Sequence, residues 1–113
     1  MTMLSKAALL KPKTTRVAVG DGYVTIKAMT AAYAASLRGV ELDSARIFQV
    51  IADSMVDENG ATFLTAEDVG NIAIIDMNEI VAGVFAFNAL GAKAVQQAQD
   101  ELKKVQTEEP TTN

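Results

Sequence analysis

Asp57, Asn59 and Asp68 stand at the first, third and twelfth places of a twelve-residue stretch, the spacing at which a calcium loop gathers oxygen ligands around one ion. The fifth place is Ala61, which has no side-chain oxygen, and the sixth is Thr62, where such a loop needs glycine. The calcium reading fails at both, and Asp57-Glu58-Asn59-Gly60 is read as a turn. Glu67 and Asp68 are an adjacent carboxylate pair, the raw material of acid–base chemistry. They fall in the first turn of an expected helix, where negative charge complements the helix dipole, and capping is the reading they support. Gly20-Asp21-Gly22 is followed by a strand pattern and lacks the Lys-Ser/Thr of a phosphate loop, so it too is turn chemistry.

Asp53-Ser54-Met55 is similar to the Asp-Ser-Leu at which acyl carrier proteins receive phosphopantetheine. In those proteins the serine opens a helix, whereas Ser54 comes at the end of one, on its apolar arc, as a buried helical serine does. The chain has no Cys and no His, which removes disulfides, thiolate nucleophiles, imidazole bases and the usual zinc ligands. No catalytic residue, cofactor or metal is expected. Nucleic-acid binding is not expected either, because the basic residues are scattered among apolar ones without an aromatic platform, and the net charge is −4.

A chain of 113 residues has room for one domain that buries roughly two-thirds of its unfolded surface. Half the residues are apolar but only 5% are aromatic, so the core is expected to be built from Ala, Val, Ile, Leu and Met, which suits packed helices. The fold expected is α+β, mainly α: an N-terminal β-hairpin packed on four to five helices. Residues 1–13 are an N-terminal arm, 14–106 the domain, and 107–113 a disordered tail. The arm holds a helix-compatible stretch, Met3 to Lys11, stopped by Pro12. Its apolar run Ala7-Ala8-Leu9-Leu10 is too short for a secretory segment or a membrane span, so a cytoplasmic protein with no membrane contact is expected.

Thr15 to Val19 and Tyr23 to Ala28 alternate around Gly20-Asp21-Gly22 as the two strands of a hairpin. Thr30 caps a short helix, Ala31 to Arg38, closed by Gly39. Asp43 caps an amphipathic helix, Ser44 to Met55, whose apolar arc is Ile47, Phe48, Val50, Ile51 and Met55. Thr62-Phe63-Leu64 is a brief extended piece, Thr65 to Asp68 is close to a capping box, and Asp76 followed by Glu79 repeats that signal. The stretch Ala92 to Gln106 carries a narrow stripe of Val95, Ala98, Leu102 and Val105 and is expected to pack loosely or project.

The helix Met77 to Leu90 has apolar or small residues on nearly every side. Its core arc is Met77, Ile80, Val81, Val84, Phe85 and Phe87, and its back is Ala82, Gly83, Ala86 and Leu90. The second face must meet the hairpin or another subunit, and Met77, Ile80, Ala82, Gly83, Ala86, Phe87 and Leu90 form the candidate interface for self-association or a partner. Charge is distributed unevenly: residues 1–46 hold seven basic against three acidic side chains, while residues 47–92 hold seven acidic and no basic ones. Such separation favours head-to-tail association of copies or capture of a basic partner, and it equally describes a solvated surface.

The run from Phe48 through Asp57-Glu58-Asn59-Gly60, Phe63 and Thr65-Ala66-Glu67-Asp68 to Val69 resembles the central motif of the tail assembly chaperones of siphovirus-type bacteriophages. In that family a helix ends in an acidic turn with glycine, a Phe follows, and a Thr-x-x-Asp segment opens the next helix. Ala86-Phe87-Asn88-Ala89-Leu90-Gly91 resembles the next landmark, a helix ending near Asn-x-Leu. The resemblance covers roughly residues 14–105 and departs from the family at Gly70 to Ile75, which is more apolar than the usual connection. It implies a self-associating protein that binds the tape measure protein, keeps it soluble, helps to recruit the tail tube protein, and is absent from the finished virion. It also implies a longer frameshifted form extended from the region of Ala92 to Asn113. From the two-faced helix and the charge separation themselves, copies are expected to associate through the Met77 to Leu90 helix and the hairpin edge. The alternatives are a minor structural tail or head–tail joining protein retained in the virion, and a small bacterial adaptor unrelated to phage.

Overall fold

Gly20 takes a φ of +55°, a conformation open to glycine at little cost, and this lets the chain reverse between β1 (Thr14–Val19) and β2 (Gly22–Lys27). The antiparallel register runs from Thr14↔Lys27 to Val19↔Gly22. It leaves Gly20-Asp21 as a two-residue loop with positive φ at its first position, the type II′ arrangement that matches strand twist. The computed structural model describes residues 1–90 and 92–108, with side chains described for 1–90 and 93–103. Its fold is α+β, as expected from the sequence.

The first correction is a third strand. The helix expected to reach Met55 stops one residue earlier, as α3 (Ser44–Ser54), and β3 (Met55–Val56) then pairs with β2 through Thr25↔Val56 and Ile26↔Met55. Next comes a tight turn organised by one carboxylate: Asp57 Oδ1 accepts from the backbone N–H groups of Asn59 (2.8 Å) and Ala61 (3.0 Å). Gly60 sits at φ +81°, and Thr62 bridges back to Val56. The local turn and the free edge of β2 together pull Met55 out of helical geometry, although its side chain remains in the core.

Two helices precede α3. The arm forms α1 (Lys6–Leu10), capped by Ser5 and without a single buried residue, and α2 (Ala31–Ser36) follows β2. The expected N-caps are in place: Thr30 Oγ1 accepts from Tyr33 N–H at 3.1 Å, and Asp43 Oδ1 accepts from Arg46 N–H at 2.8 Å. Helix α4 (Ala66–Gly70) opens with a reciprocal capping box, Thr65 Oγ1 accepting from Asp68 N–H and Asp68 Oδ2 from Thr65 N–H.

Helix α5 (Ile74–Phe87) starts and ends three residues earlier than expected. Asp76 lies within its first turn, not at its cap, since Ala73 holds the capping position without a side-chain hydrogen bond. At the far end the Leu90 N–H reaches Phe85 O (3.0 Å) and the Ala89 N–H reaches Ala86 O (3.1 Å), a Schellman closure that puts Ala89 in the left-handed region at φ +54°. Glycine normally occupies that place, and alanine there is disfavoured by about 1–2 kcal/mol. Ala89→Gly is therefore expected to raise stability by about 1 kcal/mol in urea titration. Gly91, where the sequence placed the helix break, lies outside the described residues.

The last helix, α6 (Ala92–Glu108), corrects the expectation of loose packing. Ala98 and Leu102 are buried in the same core as Ile26, Ile47, Val50, Ile51, Val69, Val84 and Phe85. Thr107 and Glu108, read as the start of a tail, continue this helix, and the remainder of that tail, 109–113, lies outside the described residues. The core thus sits between the inner face of the sheet and helices α3, α5 and α6.

Candidate functional site

The residues that suggested chemistry are engaged in architecture. Asp57 organises its own turn and Asp68 caps α4. Among the described residues no group of three or more acidic side chains is placed to hold a metal ion. Ser54 is buried at the end of α3, and its hydroxyl donates to Val50 O at 2.8 Å, as expected for a helical serine.

The candidate interface on α5 separates into three parts. Met77 and Ile80 are each only 2% exposed and belong to this chain's own core. They cannot meet a partner without unfolding, so their place in an interface is corrected. Gly83 is covered by the hairpin: a Cβ built there would stand 2.6 Å from both methyl carbons of Val17. Two hydrogen bonds pin the hairpin to the same helix at opposite ends. Glu79 Oε1 accepts from Gly20 N–H (3.3 Å), and Asn88 Oδ1 accepts from Met29 N–H (2.6 Å) while its Nδ2 donates to Val84 O (2.8 Å). Of the remaining positions, Ala82 and Leu90 are half-buried and Ala86 is exposed. Phe87, expected in the core arc, is 36% exposed. Only the rim of this helix is therefore open to another molecule.

A larger feature lies at the open end of the hairpin. The arm, the β2–α2 connection and the end of α3 enclose a groove of about 780 Å³, walled by Leu9, Leu10, Pro12, Ala28 and Met29. Asp53 and Tyr33 form part of its lining. Tyr33 Oη donates to Asp53 Oδ2 at 2.6 Å, and Gln49 Nε2 donates to Asp53 Oδ1 at 2.9 Å. Sequence reading missed this groove because it joins three separate segments, and the periodicity within any one of them does not show that they meet. The apolar pair Leu9-Leu10 was its one visible trace.

Burial pushes the Tyr33 hydroxyl above its ordinary value, and the hydrogen bond to Asp53 and that carboxylate's charge act in the same direction, while Arg46 opposes them. A tyrosine in this state is a proton donor held in place, not a base or a nucleophile, and it ties α2 to α3. The folded chain holds this proton more tightly than the unfolded chain. The contribution to stability is therefore full below the unfolded value of 10.0 and fades as pH rises past it. Wild type is expected to lose thermal stability more steeply than Tyr33→Phe as pH rises from about 10 to 12. Near neutral pH the variant should be about 1–2 kcal/mol less stable. Parallel pH profiles would show that the bond does not form.

On the outer face of the hairpin Arg16 stacks over the Tyr23 ring, 4.4 Å from its centre. Compared with protein-family models, with curated proteins and with solved structures, the chain matches none.

Proposed function

We propose that this chain is a non-catalytic assembly chaperone of the kind found in long-tailed bacteriophages. It would self-associate in the host cytoplasm, bind the tape measure protein and keep it soluble while the tail tube forms. The observation that carries this reading is the apolar surface left open at one end of the domain, where Leu9 and Leu10 are 65% and 70% exposed beside an apolar groove. Contiguous exposed apolar surface is the mark of an interaction site. Further support comes from the landmarks of the resemblance, which occur in order as structural punctuation. Helix α3 leads through β3 into the Asp57 to Gly60 turn, Phe63 follows, Thr65 and Asp68 open α4, and Asn88 closes α5. Among the described residues no helix is long and apolar enough to cross a membrane.

The test is co-expression with the tape measure protein of the same phage, followed by size-exclusion chromatography with light scattering. A soluble complex with several copies of this chain per tape measure supports the proposal. Failure to keep the tape measure soluble, together with detection of the chain in purified virions, replaces it with a structural tail component.

A further inference from the structure

We propose that the groove at the open end of the hairpin receives the acidic, Phe63-bearing segment of a second copy of this chain. This rests on the self-association half of the function proposed above and names the two surfaces that meet. The groove is apolar inside and basic at its lips. Leu9, Leu10 and Met29 wall it, while Lys11, Lys13 and Lys27 also line it. None of the three lysines is held in an ion pair with another described residue. Among the described residues of the lining Asp53 is the one acid, and it accepts hydrogen bonds from Tyr33 and Gln49. With the Asp53 carboxylate counted against the three lysines, the described lining still carries a net positive charge, which favours an occupant that is apolar at its centre and acidic at its edges.

This chain carries such a segment. Phe63 is 53% exposed and lies between Glu58 and Glu67, both exposed, within the stretch of residues 47–92 that contains no basic side chain. The segment is also stiff. The Asp57 carboxylate holds the turn before Phe63 and the Thr65–Asp68 capping box holds the chain after it, so little ordering entropy is lost when the ring is captured. Phe63 does not line the groove of its own chain, so the pairing needs a second molecule. The alternative occupant from a second copy, its own arm, would bring Lys6 and Lys11 against three lysines. Because donor and acceptor are different surfaces, the contact is heterologous and builds a ring or a growing array.

The experiment is sedimentation velocity of the full chain across a concentration series at low and high salt, with every variant checked for folding by circular dichroism. Lys11→Glu with Lys13→Glu, and separately Glu58→Lys with Glu67→Lys, should each weaken self-association at least tenfold. An equimolar mixture of the two double variants should regain multimers, because each then offers the other a complementary surface. Phe63→Ser should weaken association at both salt concentrations, whereas the charge effects should shrink as salt rises. Multimers of unchanged size in all the variants would overturn the groove assignment and leave self-association standing. Loss of tape measure binding in the lysine variant with its multimers intact would overturn it in favour of the tape measure as occupant. A wild-type chain that is monomeric at every concentration would overturn both this inference and self-association.

Discussion

Leu102→Ala is expected to lower the free energy of unfolding by about 2–5 kcal/mol in urea titration, with little change in slope. Leu102 is 2% exposed, and Ala98, one turn before it on the same face, is fully buried. Both belong to the cluster that contains Phe85 and Ile51, so α6 closes the core against α5 and α3. Removing the leucine's branched end leaves a cavity among side chains already fixed by two other helices, which limits how far the site can collapse. A projecting helix behaves otherwise: truncating a solvent-facing leucine changes stability by no more than about 0.5 kcal/mol. Gln97→Ala, at an exposed position of the same helix, is the control and should fall in that range. A Leu102 effect equally small would mean that α6 is not part of the folded core.

What could be read from the sequence was chemistry completed within a few residues. The caps at Thr30, Asp43 and Thr65 each join a side-chain oxygen to the backbone N–H three positions on, and the Gly20 loop needs only a residue that tolerates positive φ between two short strands, so residue type and spacing specify them. Strand β3 was hidden because two residues carry no periodicity, and Met55 fits the helical arc before it. Only the pairing partner on β2, some thirty residues away, makes it a strand. The end of α5 was hidden for a related reason. Alanine is a strong helix former, and Ala89 takes left-handed geometry because Asn88 reaches across to Met29 and the following amides fold back on the helix.

The candidate site was legible by half. Periodicity showed that α5 has two apolar faces and set Met77, Ile80, Val81, Val84 and Phe85 on the core arc, where the structure buries them, but it could not say what would cover the second face. Met77 and Ile80 went to the core, and the small residue Gly83 went to the hairpin. The groove was invisible because its walls come from the arm, from the β2–α2 connection and from the end of α3. The β1–β2 pairing brings the arm beside the β2–α2 connection, but the end of α3 joins them only when β2 pairs with β3, which is a tertiary event.

Gly83→Ala puts the placement of the hairpin to a test whose sign matters more than its size. In an exposed helix interior the change would stabilise by about 1 kcal/mol, since glycine is the weaker helix former. Here the new methyl would stand 2.6 Å from both Val17 methyl carbons and 3.2 Å from its Cβ. Rotating Val17 about χ1 exchanges one methyl for the other and gives little relief, because a β-branched side chain has few staggered choices. Moving β1 away is opposed by the Glu79–Gly20 and Asn88–Met29 hydrogen bonds, which tie the hairpin and the chain after it to the same helix. Overpacking is therefore expected to win, with a net loss of about 1–3 kcal/mol in thermal or urea unfolding. Val17→Ala introduced together with Gly83→Ala should recover part of that loss, a favourable coupling of about 1 kcal/mol or more in the double-mutant cycle. If Gly83→Ala alone were stabilising, the hairpin would not be seated on α5. The small-residue face of that helix would then be free to meet another subunit.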